Sequence, residues 1–181
     1  AAAVDAGATI VNDVSAGLAD AEMAPLVAAT GVRYVAMHWR GHSDRMDSLA
    51  VYTDVVAEVC AELTERIDHL VAAGVTAGQL IVDPGLGFSK TGDHNWEVLR
   101  GLGELTALGY PVLVGASRKR FLGALLDDHA TIDDRDLPTA VVSALLAGSG
   151  VWAIRVHDVR ATRRVLDMVA QMDGEGFGGC T

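Results

Sequence analysis

Five times along this 181-residue chain a mostly aliphatic run ends in polar residues and gives way to a longer amphipathic segment. The runs are Thr9–Val14, Arg33–Met37, Leu80–Val82, Pro111–Val114 and Trp152–Val156. Helical periodicity falls at about Ala21–Thr30, Leu49–Ala73, Trp96–Leu108, Arg120–Leu126 with Thr139–Ala147, and Ala161–Met172, and Gly31, Gly74 and Gly109 stand where helices must stop. Nearly continuous apolar runs suit strands buried on both faces of a parallel sheet. Their alternation with helices implies right-handed βαβ units and an α/β fold. Two architectures accommodate five such units: a complete doubly wound sheet, or strands 4–8 of a (β/α)₈ TIM barrel, which typically needs about 250 residues. Asn12-Asp13, His38, Asp83, Ser117-Arg118-Lys119 and Arg155 with His157 all fall at the carboxyl ends of the runs. A barrel uses every strand end around one mouth, whereas a doubly wound sheet concentrates its ligand groups at one switch point. The expected architecture is therefore the last five βα units of the barrel.

Composition narrows the partners. Lys and Arg number 14 against 24 Asp and Glu, a net charge of −10. That excludes a broad electrostatic grip on nucleic acid or an anionic membrane surface. The uncharged stretch from Leu137 is long enough to cross a bilayer, but Pro138 and Gly148-Ser149-Gly150 break it into a helix, a turn and a strand. No basic n-region precedes an apolar core at the start, so a secretory signal is not expected, and Cys60 and Cys180 lack metal-ligand spacing, so a reduced, cytoplasmic setting is expected. There is no initiator Met, and Ala1–Ala6 reads as the tail of a helix, so the expectation is a fragment: a partial domain over 1–173 and a flexible tail over 174–181.

Several strand ends carry groups suited to chemistry. In Asp83-Pro84-Gly85-Leu86-Gly87-Phe88-Ser89-Lys90 an ionised carboxylate at a strand end can accept two donors at once, such as the ring N–H and exocyclic amine of an aminopyrimidine. It can equally cap its own Pro-Gly turn. Gly115-Ala116-Ser117-Arg118-Lys119-Arg120 places three cations where a helix begins, a conflict that a bound anion would relieve, although solvated charges pointing different ways are the plainer reading. Of the three, Lys119 is expected inside. Strand alternation puts Arg155 and His157 on one side, a compact site for phosphate or pyrophosphate; His157 could instead cap the final helix or pair with Asp158. One of Asn12 and Asp13 can face the mouth while the other caps the next turn. Met37 suits an apolar pocket wall, and His38 and Trp39 could equally be packing. No Gly-x-Gly-x-x-Gly, P-loop, Gly-x-Ser-x-Gly or paired His/Cys ligand set is present, which excludes covalent serine or cysteine catalysis.

Taken together, Asn12-Asp13-Val14-Ser15, Met37-His38-Trp39-Arg40, Asp83-Pro84-Gly85-Leu86-Gly87-Phe88, Gly115-Ala116-Ser117-Arg118-Lys119-Arg120-Phe121 and Arg155-Val156-His157-Asp158-Val159 resemble the dihydropteroate synthase family, and the Met-His-Trp-Arg form resembles its actinobacterial branch. The resemblance implies a (β/α)₈ barrel that joins a pterin carrying a CH₂ pyrophosphate to p-aminobenzoate, releasing pyrophosphate. It assigns Asn12, Asp83 and Lys119 to the pterin ring, with Met37, Phe88 and Gly115 as pocket walls. Arg155 is implied to stack on the pterin and, with His157, to hold the pyrophosphate; Ser117, Arg118 and Phe88 flank the aminobenzoate. Lys119, Arg155, His157 and Asp83 are the implied catalytic groups. Mg²⁺ is the implied metal, bound by the pyrophosphate and by an asparagine outside this chain, and a homodimer is the implied assembly.

The first three βα units of that family are absent here, so the 181 residues alone are expected to be inactive, poorly stable and open at their sheet edges. Three rivals remain. A pterin-binding methyltransferase acting with a corrinoid protein would share the pterin pocket without needing Ser117-Arg118-Lys119 or the Arg155/His157 pair. A non-catalytic paralogue would have lost Asp-Pro-Gly or Ser-Arg-Lys. A flavodoxin-like binding module would need only five strands.

Overall fold

The computed structural model describes residues 1–42 and 44–174. The tail expected over 174–181, with Cys180, lies outside the described residues from position 175 onward. In chain order the elements are α1 (Ala2–Asp5), β1 (Ile10–Asp13), α2 (Met23–Thr30), β2 (Arg33–Met37), α3 (Val55–Ala72), β3 (Leu80–Asp83), α4 (Gly92–Arg100), α5 (Leu102–Thr106), β4 (Leu113–Val114), α6 (Arg120–Gly123), α7 (Asp136–Leu146), β5 (Ala153–Ile154) and α8 (Val159–Met172). Each expected run contains a strand, so the fold is α/β with parallel sheets.

β1, β2 and β3 form one parallel sheet, and β4 pairs in parallel with β5. A single parallel bridge, Val82 to Val112, joins the two, with the Val82 amide donating to the Pro111 carbonyl at 2.9 Å. The strands thus lie in chain order, without the reversal that defines a doubly wound sheet. β2 and β3 are buried almost throughout, as continuous apolar runs demand. β1 and β5 are not: Ile10 is 42% exposed, because each of these strands pairs on one side only among the described residues.

The helices cover this sheet with an apolar stripe. α3 buries Val55, Val59, Leu63, Ile67 and Leu70, the spacing of one helical face, against Tyr34, Ala36 and Leu80 of the core. Gly31, Gly74 and Gly109 take left-handed backbone conformations, the first closing α2 as its C-cap. α3 begins at Val55, later than the periodicity from Leu49 suggests. Asp54 there is extended and accepts from the Val56 and Ala57 amides at 3.2 and 3.1 Å, while Glu58 accepts from the Thr53 and Asp54 amides. The helix expected over Trp96–Leu108 starts earlier, at a Thr91–His94 capping box, and breaks at Gly101. A Cβ at 101 would stand 2.7 Å from both Val56 methyls, so tight packing against α3 requires the glycine that interrupts the helix.

The uncharged stretch from Leu137 becomes α7, a turn over Gly148-Ser149-Gly150, and β5; no described helix is long and apolar enough to cross a membrane. On α7, Leu137, Val141 and Leu145 form an exposed apolar stripe at a spacing of four. Removing the α3 cap, Asp54→Ala, is expected to lower stability by about 1 kcal/mol, measured as a shift in urea midpoint at unchanged slope.

Candidate functional site

The ends of four strands meet around Asp83. Register places Met37 of β2 opposite it, and the His38 amide donates to the Asp83 carbonyl at 2.8 Å. The Asp83 carboxyl is 1% exposed. Its Oδ1 accepts from the Gly85 amide at 2.8 Å, which is the turn-capping role. Its Oδ2 lies 2.8 Å from Arg155 Nη1, a charge contact without hydrogen-bond alignment. One oxygen therefore caps the turn, and the other faces the Arg155 guanidinium. Burial pushes this carboxyl upward, against the pull of Arg155, the Gly85 amide and Lys90. The turn has no room for side chains: a Cβ on Gly85, where φ is 67°, would collide with the His38 carbonyl, and one on Gly87 would stand 2.8 Å from Lys119 Cδ.

Arg155, directly after β5, also donates from Nη1 to Asn12 Oδ1 of β1 at 3.0 Å. It crosses Gly115, where any Cβ would strike the guanidinium. Lys119 points inward with Nζ 4.1 Å from the Phe88 ring centroid. Burial pushes its ammonium downward, Asp83 opposing and Arg155 adding to the fall. Ser117 Oγ accepts from the His157 amide at 3.1 Å and lies 2.8 Å from His157 Nδ1, tying the β4 and β5 ends together. The N-cap of α8 is Asp158, which accepts from the Ala161 amide at 2.9 Å.

The other two cations of the cluster turn elsewhere. Arg118, at a φ of 58°, forks onto Asp136 at 2.8 and 2.7 Å and contacts Asp133 at 2.8 Å. Arg120 is exposed and lies 3.4 Å from Asp47. Carboxylates thus relieve much of the charge conflict that suggested an anion here, and α6 is only a single turn. A cavity of about 650 Å³ opens beside Phe88, Lys90, Arg118 and Lys119. Of the first pair, Asn12 meets Arg155, while Asp13 turns back to accept from the Ser15 and Gly17 amides and the Tyr34 hydroxyl.

A second polar cluster lies behind the Asp83 turn. Lys90, buried, places Nζ 2.9 Å from His38 Nδ1 and 3.3 Å from the Gly85 and Phe88 carbonyls. His38 Nε2 lies 2.9 Å from Glu62 of α3. Arg40 binds both Glu62 and Glu58 and stacks 3.7 Å over the Tyr52 ring. Burial pushes His38 down to about 4, so the imidazole is neutral: Nε2–H donates to Glu62 and Nδ1 accepts from Lys90. Glu62 is drawn to about 2, the hydrogen bonds from His38 and Arg40 outweighing burial. Sequence patterning left His38 open and gave Lys90, Arg40 and Glu62 no role. The available signal was the pair Glu58 and Glu62, four apart and each one position from the α3 stripe.

Residues 1–157 match the model of a family described as pterin binding enzyme. The chain is 57% identical over 173 residues to the dihydropteroate synthase of Mycobacterium leprae, covering 93% of this chain and 61% of that protein. The dihydropteroate synthase of Xanthomonas albilineans in complex with 7,8-dihydropteroate superposes with a TM-score of 0.85 at 38% identity, over 95% of this chain and 62% of the other. That of Thermus thermophilus in complex with 4-aminobenzoate gives 0.86 at 41%, over 94% and 65%. The chain thus spans about three fifths of the length of such relatives. With a buried aspartate, an inward lysine and a bridging arginine converging from separate strand ends across the matched region, the chain belongs to the pterin-binding enzyme family.

Proposed function

We propose that this chain carries most of the active site of a dihydropteroate synthase, which condenses 6-hydroxymethyl-7,8-dihydropterin pyrophosphate with p-aminobenzoate and releases pyrophosphate in folate biosynthesis. The observation that carries the reading is the convergence of Asn12, Asp83, Lys119 and Arg155. Arg155 places a single guanidinium nitrogen, Nη1, beside Asp83 Oδ2, and that buried oxygen keeps an unsatisfied acceptor for a donor such as an aminopyrimidine edge. On this reading the pterin takes the place of the guanidinium at Asp83, Lys119 and Asn12 bind the ring, and Met37, Phe88 and Gly115 wall it. Arg155, stacked on the pterin, and His157 then hold the pyrophosphate.

The chemistry follows from these placements. The C–O bond of the CH₂ group breaks, and negative charge grows on the departing pyrophosphate beside Arg155 and His157. The carbon left behind is cationic and delocalised into the pterin, which the ionised Asp83 favours. The neutral arylamine, flanked by Ser117, Arg118 and Phe88, attacks that carbon and loses a proton; holding the two reactants side by side supplies much of the acceleration. Mg²⁺ enters the proposal only as a companion of the pyrophosphate. Its implied protein ligand is an asparagine outside this chain; the described residues gather no group of three His, Cys, Asp or Glu side chains that could hold a metal by themselves, and no step here runs through it.

The same proposal includes the (β/α)₈ barrel, of which this chain supplies strands 4–8. Its support is the sequential parallel order together with the Arg155–Asn12 contact. In a flat sheet four strand spacings would hold the outer ends about 19 Å apart, beyond those two side chains. A homodimer joins the proposal, supported by the Leu137, Val141 and Leu145 stripe on α7, as does a cytoplasmic setting, in which Cys60 stays a free thiol.

Calorimetry on a polypeptide carrying this chain at the full length of its relatives tests the reading. Ordered binding is expected, with p-aminobenzoate held only once pyrophosphate is present; no affinity for a pterin pyrophosphate would sink it. Asp83→Asn and Lys119→Ala are each expected to weaken pterin binding by about 1–3 kcal/mol, the cost of a buried group left unpaired. Gly115→Ala, which displaces Arg155, is expected to weaken binding of the pterin pyrophosphate more than that of the free pterin alcohol. Sedimentation of a variant charged at the α7 stripe, Leu137→Asp with Leu145→Asp, is expected to show a monomer where the unaltered protein is a dimer.

A further inference from the structure

Asp83 is joined to the surface of α3 by an unbroken chain of polar contacts that the proposed reaction does not use. Glu62 Oε2 lies 2.9 Å from His38 Nε2, His38 Nδ1 lies 2.9 Å from Lys90 Nζ, Lys90 Nζ donates to the Gly85 carbonyl at 3.3 Å, and the Gly85 amide donates to Asp83 Oδ1 at 2.8 Å. An ammonium has three donors, and here it has three acceptors: His38 Nδ1, the Gly85 carbonyl and the Phe88 carbonyl. The last two flank the turn that holds Asp83 and Phe88. Gly85 packs against the His38 carbonyl so closely that no side chain fits between them.

We propose that Lys90 is a positioning residue of the pterin site: it holds Gly85, the residue whose amide caps Asp83, by its backbone carbonyl, and it is tied to Glu62 through His38. The inference rests on the pterin reading for its consequence and on the contacts alone for its geometry. A merely structural lysine would sit at the surface with its head in water. Lys90 is instead buried behind a carboxylate, where its charge adds to the pull of Arg155 and the Gly85 amide against the upward push of burial.

The groups that face Lys90 set its behaviour. Burial lowers it to about 7; Asp83 and Glu62 raise it, and Arg40 and Lys119 lower it. His38 beside it stays neutral, and Tyr52 next to His38 is pushed up to about 12. As pH rises through about 7, Lys90 loses a donor and the positive charge behind Asp83 disappears.

The test uses the polypeptide at the full length of its relatives, with 6-hydroxymethylpterin as the probe and Lys90→Met and Glu62→Gln as variants. The ratio of Kd in Lys90→Met to Kd in the unaltered protein cancels the probe's own titration. It is expected to be roughly three- to tenfold on the acid side, about the worth of one hydrogen bond, and to shrink as pH rises through about 7. Glu62→Gln removes a carboxylate that holds Lys90 protonated, so its affinity is expected to start falling at lower pH. A ratio that is flat across pH 7, or a Glu62→Gln profile that does not move, overturns the proposal. A second readout needs no pterin: the ¹³C titration of the Asp83 carboxyl is expected to move upward in Lys90→Met, and a titration that does not move overturns the proposal. A probe that fails to bind the unaltered protein sinks the pterin reading, while this titration still decides the role of Lys90. If Lys90→Met does not fold, the pH profile of Glu62→Gln alone gives the answer.

Discussion

A carboxylate sealed from water is costly unless cations and donors answer it. Asp83 is such a group, at the end of the central strand β3, and much of the surrounding structure is organised by its needs. Arg155 approaches from β5, and Lys119 and Lys90 are both electrically coupled to it. The Gly85 amide caps one oxygen, which forces a turn too tight for any side chain. Each supporting group is held by further partners in its turn: Arg155 by Asn12, Lys90 by His38 and Glu62. In a network of this kind, displacing one member exposes the need of another, so a group that takes the place of Arg155 at Asp83 must itself bring a donor.

Much of this was legible in the sequence, for a physical reason. Strand ends and turn residues are local signals: a β-branched run, a proline, a pair of glycines. Asn12-Asp13 illustrates it, one residue reaching Arg155 and its neighbour capping the following turn. What stayed hidden was long-range. Lys90 and His38 are 52 residues apart and His38 and Glu62 are 24 apart, and no local spacing encodes contacts that only the packing of α3 on β2 creates. The same limit applies to α3, whose start was blurred by alternating apolar residues before Asp54, and to the break at Gly101, which is imposed by Val56 on another helix.

The cluster after β4 shows how a charge pattern can mislead in part. Three adjacent cations invite a single anion, yet their backbone sends each a different way. The left-handed conformation at Arg118 swings its guanidinium to Asp133 and Asp136 at the start of α7, leaving Lys119 alone to face Phe88. Arg118 thereby anchors α7 to the strand end.

The Arg155–Asn12 contact links groups separated by 143 residues. On the ribosome, the first strand emerges long before the last, and Asp83 is made with no guanidinium to meet it. Until Arg155 is made, that acid lacks the cation nearest to it in the folded chain, and one of its two oxygens has nothing to answer its burial.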